Sequence, residues 1–360
     1  MKRVVLAGGA GFIGHNLAVG LRRAGHKVMV LDNLMWNNIT DNVLGGIDMF
    51  RRELYHRFLM QRFDRMRAEG VELHNADARL DMSSFLDDFH ATDIVHMAAI
   101  SSAVEARKNP GLCFDLQLVT LKNVLEYAKN KGTRVTFMSS STVYGDFETE
   151  IVDETTRPRP KGIYANAKYM GERLCRTYSD QYGIDSIIIR PSALYGERCV
   201  SGRVSQKFIE NALQGLPLSL EGGGQGKLDF THISDLVDGI IKALERAPKG
   251  TNTYNLTYGK ARTIKELAEV VNQVVPCRLE ITPKNDLAPE RGTLSGQRAR
   301  MELGFNPYRG LESGYLTYCK WYKEQWLALQ KDRSRTNPES WRPDANEAIQ
   351  AGLSLHPEPN

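Results

Sequence analysis

No apolar run in this 360-residue chain approaches the ~18 residues that a membrane-spanning helix needs. The opening Met1-Lys2-Arg3-Val4-Val5-Leu6-Ala7 briefly mimics a basic leader, but its short apolar run meets glycines too soon for a signal peptide. Cysteine is scarce: five residues, at 113, 175, 199, 277 and 319, form an odd set with no Cys-x-x-Cys and no zinc spacing. A disulfide framework and a zinc-ligand set are thereby excluded. Free thiols, a cytoplasmic location, no metal and no membrane are expected. A surplus of one charge is missing too: Lys plus Arg number 47 against 43 Asp plus Glu, a net charge of +4, which gives no case for nucleic-acid binding. What is present is ordinary for a globular protein. Hydrophobic residues at 41% and charged residues at 25% rule out disorder as the dominant state, and the length fits two domains or one large one.

Short β-branched runs alternate with helical stretches in the N-terminal half. Val4–Ala7, Lys27–Leu31, Val71–His74, Asp93–Met97, Arg134–Met138 and Ser186–Ile189 read as strands, several apolar throughout, as strands covered on both faces are. Phe12–Ala24, Asp81–Phe89, Cys113–Lys129 and Tyr164–Tyr182 read as helices. Alternating β and α implies an α/β fold, a Rossmann-type doubly wound parallel sheet with right-handed crossovers. From about residue 191 the texture is irregular, with helical patterns at Ile233–Arg246 and Thr263–Val274. The expected organisation is a dinucleotide-binding domain over 1–190, a smaller, partly interleaved mixed α/β substrate lobe over 191–330, and a proline-bearing tail over 331–360.

Nearly forty residues separate Asp32 from Val71, more than a βαβ unit usually needs. Within this inserted segment, 33–70, Asp48–Glu69 reads as a helix with Phe50, Leu54 and Phe58 on one face and six interspersed arginines. Two readings stand: a helix laid on the body of the protein, or a substrate lid or partner surface. Either makes it a surface or substrate-side element, dispensable for folding.

Gly8-Gly9-Ala10-Gly11-Phe12-Ile13-Gly14 follows a strand and opens a helix. A tight turn and close approach of backbone to a pyrophosphate both exclude a Cβ, and the helix N-terminus offers free N–H groups to phosphates. Asp32 ends the next strand, eighteen residues after Gly14. A carboxylate there accepts from ribose hydroxyls and repels a 2′-phosphate, so NAD is expected rather than NADP. Tyr164 and Lys168 fall at i, i+4 on one helical face. A tyrosine near its ordinary pKa of ~10 is a poor base at neutral pH, and a nearby ammonium favours the phenolate. Ser139-Ser140-Ser141-Thr142-Val143-Tyr144-Gly145 follows another strand, at the sheet end where ligands sit.

Taken together, these motifs make the chain resemble the extended short-chain dehydrogenase/reductases of the NAD-dependent sugar epimerase/dehydratase family. The glycine triad, Asp32, Asn75-Ala76-Asp77-Ala78, His96-Met97-Ala98-Ala99, the serine loop, Tyr164/Lys168, Arg190-Pro191, Tyr195-Gly196, Asp229-Phe230 through Asp235, Tyr254-Asn255-Leu256 and Arg291-Gly292 fall in the family's order, over roughly residues 1–325. The resemblance implies Ser140 as the catalytic hydroxyl, Tyr164 as the base, and Lys168 as the residue that holds the nicotinamide ribose and tunes Tyr164. It implies cofactor contacts at Gly8, Gly11, Phe12, Ile13, Gly14, Asp32, Asn33, Asp77, Ala78 and Ala98, and substrate contacts at Ser102, Ser140, Thr142 and Arg291, the last for a phosphate. It also implies a homodimer paired through the helices at 113–129 and 164–182. Three positions depart from the pattern: Ala193 and Gln117 stand where the family usually has Asn, and Leu228 where it has Arg.

Dehydratases of this family carry a Glu two residues before the position of Tyr144; here Thr142 stands there, with no pKa suited to taking a carbon-bound proton. The resemblance therefore implies an epimerase that inverts C4 of a sugar, expected to be a nucleotide sugar, through a 4-keto intermediate. The alternatives are a dehydratase or net oxidoreductase on the same substrates, or a non-enzymatic NAD-sensing protein.

Overall fold

The computed structural model describes residues 1–35, 47–284 and 289–336. Seven strands there form one parallel sheet: β1 Arg3–Ala7, β2 Lys27–Asp32, β3 Glu72–Asn75, β4 Asp93–His96, β5 Arg134–Met138, β6 Ser186–Arg190 and β7 Thr251–Asn255. Their spatial order is 3-2-1-4-5-6-7. Successive strand residues point to opposite faces, and both faces are covered. Val4 and Leu6 of β1 join Val28, Val30, Val95, Ile187 and Ile189 under the helices Phe12–Arg23 and Ile233–Arg246. Val5 and Ala7 join Met29, Leu31, Ile94, Val135 and Ile188 under Ser83–Phe89, Thr120–Lys131 and Gly162–Tyr182. This two-sided burial is why the strands read as continuous apolar runs. The order reverses between β1 and β4, which opens a crevice at their C-terminal ends, beyond Ala7, Asp32 and His96.

A second core lies outside the sheet, where the helices Met49–Ala68, Val204–Leu213, Ile264–Val274 and Leu316–Thr336 pack together. Of the two readings of the inserted helix, the structure shows the helix laid on the body of the protein. It buries Leu54, Tyr55, Phe58, Leu59, Arg62 and Met66. Phe58 meets Trp321 and Tyr322 with ring centres 5.0 and 5.4 Å apart, and Met66 reaches the sheet core. The hydroxyls of Tyr55 and Tyr322 both donate to the buried Glu210 carboxylate, and Gln206 Nε2 donates to it at 2.8 Å. The helix is therefore an integral wall of the second core. The C-terminal helix runs on to Thr336, so 331–336 of the expected tail are helical; 337–360 lie outside the described residues, as do 36–46 of the insertion.

Candidate active site

The crevice at the strand ends is an open cleft with about 1040 Å³ of empty space. Gly8, Gly11, Phe12, Ile13, Gly14, Asp32, Asn33, Asp77, Ala78 and Ala98 all line it. The glycine turn is built for close approach. Gly8 has φ +78°, and a Cβ on it would lie 2.5 Å from the Ala98 amide nitrogen. A Cβ on Gly14 would strike the Gly9 carbonyl oxygen at 2.2 Å, so this glycine lets the helix sit on the turn. At Gly11 a Cβ would meet nothing nearer than 4.0 Å. The turn is thus bare on the cleft side, where the Phe12–Arg23 helix presents its N-terminus, and a dinucleotide pyrophosphate fits it.

Asp32 closes the other side of the turn. Its Oδ2 accepts from Ala10 N and its Oδ1 from Leu34 N, both at 2.8 Å. Burial raises its carboxyl above the ordinary range, and those two amides oppose the rise. Asn33 Nδ2 donates to Asp77 Oδ2 at 3.1 Å. The Arg79 guanidinium holds Asp77 down to about 2, so that end of the cleft keeps a carboxylate at any working pH. Asp32, where the adenosine ribose would lie, gives a direct expectation: in calorimetric titrations the protein binds NAD more tightly than NADP, and Asp32→Ala narrows the gap. Tighter NADP binding by the unsubstituted protein contradicts this assignment.

Ser140, Tyr164 and Lys168 come together behind the end of β5. Ser140 sits where β5 turns into the Ser141–Tyr144 turn, and its Oγ accepts from Thr142 N at 3.2 Å. The Tyr164 hydroxyl faces Ser140. Lys168, one helical turn on, lies with Nζ 5.9 Å from the Tyr164 ring centre and donates to the Met138 carbonyl at 2.6 Å. Burial pushes the Lys168 ammonium down to about 7, against the pull of Cys113 and Glu172. Burial also raises the Tyr164 phenol, while the Arg203 charge and then the Ser140 hydroxyl lower it.

The remaining substrate residues are placed differently. Thr142 Oγ1 is buried with no partner among the described residues. Arg291 Nη1 donates to the carbonyls of Ser141 and Gly145 at 3.2 and 2.7 Å, bracing the serine loop. Ser102 caps the Ala103–Lys108 helix, its Oγ accepting from Glu105 N at 3.3 Å; it is Ser101 that lines the cleft. Gln117 lies fully buried in a π turn, Asp115–Val119, with neither amide atom paired among the described residues.

Two features have no local sequence signal. The first is a buried chain of polar groups behind the site. Glu172, on the catalytic helix, takes Ser139 Oγ at 2.6 Å and the Arg190 fork at 2.8 and 2.6 Å. Arg190 Nη1 donates to Tyr144 Oη at 2.9 Å, which donates to Asn255 Oδ1 at 2.8 Å. The second is Arg203, exposed at the cleft edge, whose Nη2 reaches the Ser101 carbonyl at 3.2 Å. Among the described residues it forms no ion pair, so its positive charge acts on Tyr164 uncompensated. Arg203→Gln removes that charge, the phenolate loses stabilisation and the Tyr164 pKa rises. The acid limb of kcat, measured with cofactor and substrate saturating, should move to higher pH. A shift to lower pH contradicts this.

Fold and site together define a Rossmann-type α/β protein with a glycine-lined cleft and a grouped Ser, Tyr and Lys. Comparison with known proteins gives the family. The model of the NAD dependent epimerase/dehydratase family matches residues 4–257, and the chain belongs to that family. It is similar to UDP-glucuronic acid decarboxylase 1 of Danio rerio, at 29% identity over 322 residues, covering 87% of this chain and 71% of that protein. It is similar to UDP-glucuronate 4-epimerase 1 of Arabidopsis thaliana at 28% identity, covering 89% of this chain and 76% of the other. Among solved structures it resembles the UDP-glucose 4-epimerase of Thermus thermophilus in complex with NAD, with 26% identity and a TM-score of 0.73 over 89% of this chain and 98% of the other. No helix among the described residues is long and apolar enough to cross a membrane.

Proposed function

We propose that the protein is an NAD-dependent nucleotide-sugar epimerase that inverts C4 through a 4-keto intermediate. The observation that carries the reading is the grouping of Ser140, Tyr164 and Lys168 in a protein that also has a cleft shaped for a dinucleotide, with Thr142, which cannot titrate, two residues after Ser140. Gly8, Gly11, Gly14, Asp32 and Asp77 would hold the cofactor, which when bound accepts the C4 hydride and returns it. Tyr164 Oη takes the proton of the 4-hydroxyl, Ser140 Oγ donates to the same oxygen, and the buried Lys168 ammonium stabilises the phenolate. On the return step Tyr164 gives the proton back, so the protein ends in the protonation state in which it began.

A second reading has a specific basis: relatives named UDP-glucuronic acid decarboxylases are as similar as those named 4-epimerases. Both reactions on a uronic acid begin with oxidation at C4, because the resulting ketone lies β to the carboxylate and opens the route to loss of carbon dioxide. Loss of carbon dioxide would leave a C4–C5 enolate that must then take a proton at C5, and Thr142 is no proton donor of suitable strength, which favours epimerisation. The test is incubation with UDP-glucose and with UDP-glucuronic acid in deuterium oxide, followed by NMR and mass spectrometry. Epimerisation predicts a product of unchanged composition with no solvent deuterium on carbon. Deuterium at C5, release of carbon dioxide or loss of water overturns it.

A homodimer and a cytoplasmic setting belong to the same reading. Val119 and Met170 are exposed on the two helices the resemblance pairs across a dimer, and the five thiols are free.

A further inference from the structure

We propose that Arg62 of the inserted helix is a positioning residue for the cofactor: it grips a strained turn and so holds the strap 196–203 against the dinucleotide cleft. The inference rests on reading that cleft as the NAD site. Arg62 is fully buried, and its Nε and Nη2 both donate to the carbonyl oxygen of Arg198, at 3.1 and 2.6 Å. Arg198 itself is left-handed, φ +65°, a backbone state that residues other than glycine avoid and that persists only where its surroundings impose it. The residues that follow, Cys199, Val200, Ser201 and Arg203, line the cleft together with Gly11 and Asp32. The far end of the strap is tied down by the Arg203–Ser101 contact. A planar guanidinium suits the near end, since it places two N–H groups on one carbonyl, whereas an ammonium is a point donor. The grip is also rigid. Phe58, Leu59 and Met66 are buried on either side of Arg62 along the same helix, so its head cannot follow the strap if the strap moves. On this account the inserted helix serves the cofactor through the strap and touches no reacting atom.

The test compares NAD binding by isothermal calorimetry, without substrate, in the full-length protein and in Arg62→Lys, Arg62→Met and Arg62→Met/Arg198→Gly, with thermal melts alongside. Loss of the two-pronged grip should weaken NAD about tenfold in Arg62→Met and less in Arg62→Lys, while kcat at saturating NAD changes little. Glycine adopts the left-handed turn without being held there, so the double variant should recover NAD affinity without recovering melting temperature. A core defect alone would not be mended from the strap side. Wild-type affinity in Arg62→Met, or a double variant that binds NAD no better than the single, overturns the proposal. If Arg62→Met does not fold, undiminished NAD affinity in a folded Arg62→Lys does so equally. Failure of the unsubstituted protein to bind NAD would instead overturn the cofactor reading itself.

Discussion

Tyr164→Phe is expected to bind NAD about as well as the unsubstituted protein while turnover falls by at least ~10²–10⁴-fold, the usual contribution of a positioned general base. The ring keeps its place over Lys168; only the oxygen that exchanges the proton and meets Ser140 is lost. Lys168 remains docked on the Met138 carbonyl, so the cofactor side of the cleft is unchanged. Calorimetry and steady-state kinetics on the same preparation separate the two effects. Equal losses in NAD affinity and in turnover would mean that the hydroxyl serves to build the site rather than to move a proton.

Deleting 49–68 should abolish soluble, folded protein, the reverse of what the arginine-rich sequence suggests. Each large apolar side chain taken out of water contributes roughly 1.5–3 kcal/mol. Leu54, Phe58, Leu59 and Met66 are each buried to within 1% exposure. Their joint contribution, roughly 6–12 kcal/mol, is the size of the whole stability of a typical domain, about 5–15 kcal/mol. Deletion also strips Tyr55 from Glu210 and exposes the faces of Trp321 and Tyr322. Expression of the deletion variant bridged by Gly/Ser, with circular dichroism on any soluble fraction, decides the matter. A cooperative melt and retained NAD binding would show the second core to be complete without this helix.

How much the sequence discloses depends on how local each signal is. β1, β2, β4, β5 and β6 read clearly because both of their faces are buried around an apolar centre, whereas β3, Glu72–Asn75, is a largely exposed edge strand. β7 does not read clearly, because Thr251-Asn252-Thr253-Tyr254-Asn255 is a polar segment held inside by side-chain partners: Tyr254 Oη donates to Glu302 and Asn255 Nδ2 to the Ser295 carbonyl. The inserted helix misleads for a related reason. One of its six arginines is itself in the core, and that breaks the polar-face pattern an amphipathic helix should show. The Leu316–Thr336 helix mixes basic residues with Tyr and Trp and shows no clean apolar face either. Ser140, Tyr164 and Lys168 could be picked out by residue type and spacing, since each lies in a short motif. Glu172 with Arg190, and Arg203 with Tyr164, meet only once the sheet and the second lobe have closed around them, and no short window contains either pair.

The Glu172–Arg190–Tyr144–Asn255 chain also has a mechanical meaning. It welds the catalytic helix, the serine loop and the ends of β6 and β7 into one stiff jaw, because a shift of any member would leave a buried charge or hydroxyl without its partner. A sugar that must present both faces of C4 in turn needs space to swing. That space cannot be made on the welded side. It falls to the opposite jaw, where Arg62 and Arg203 hold the strap by its and its neighbour's backbone oxygens and no buried charge pair is broken when it shifts.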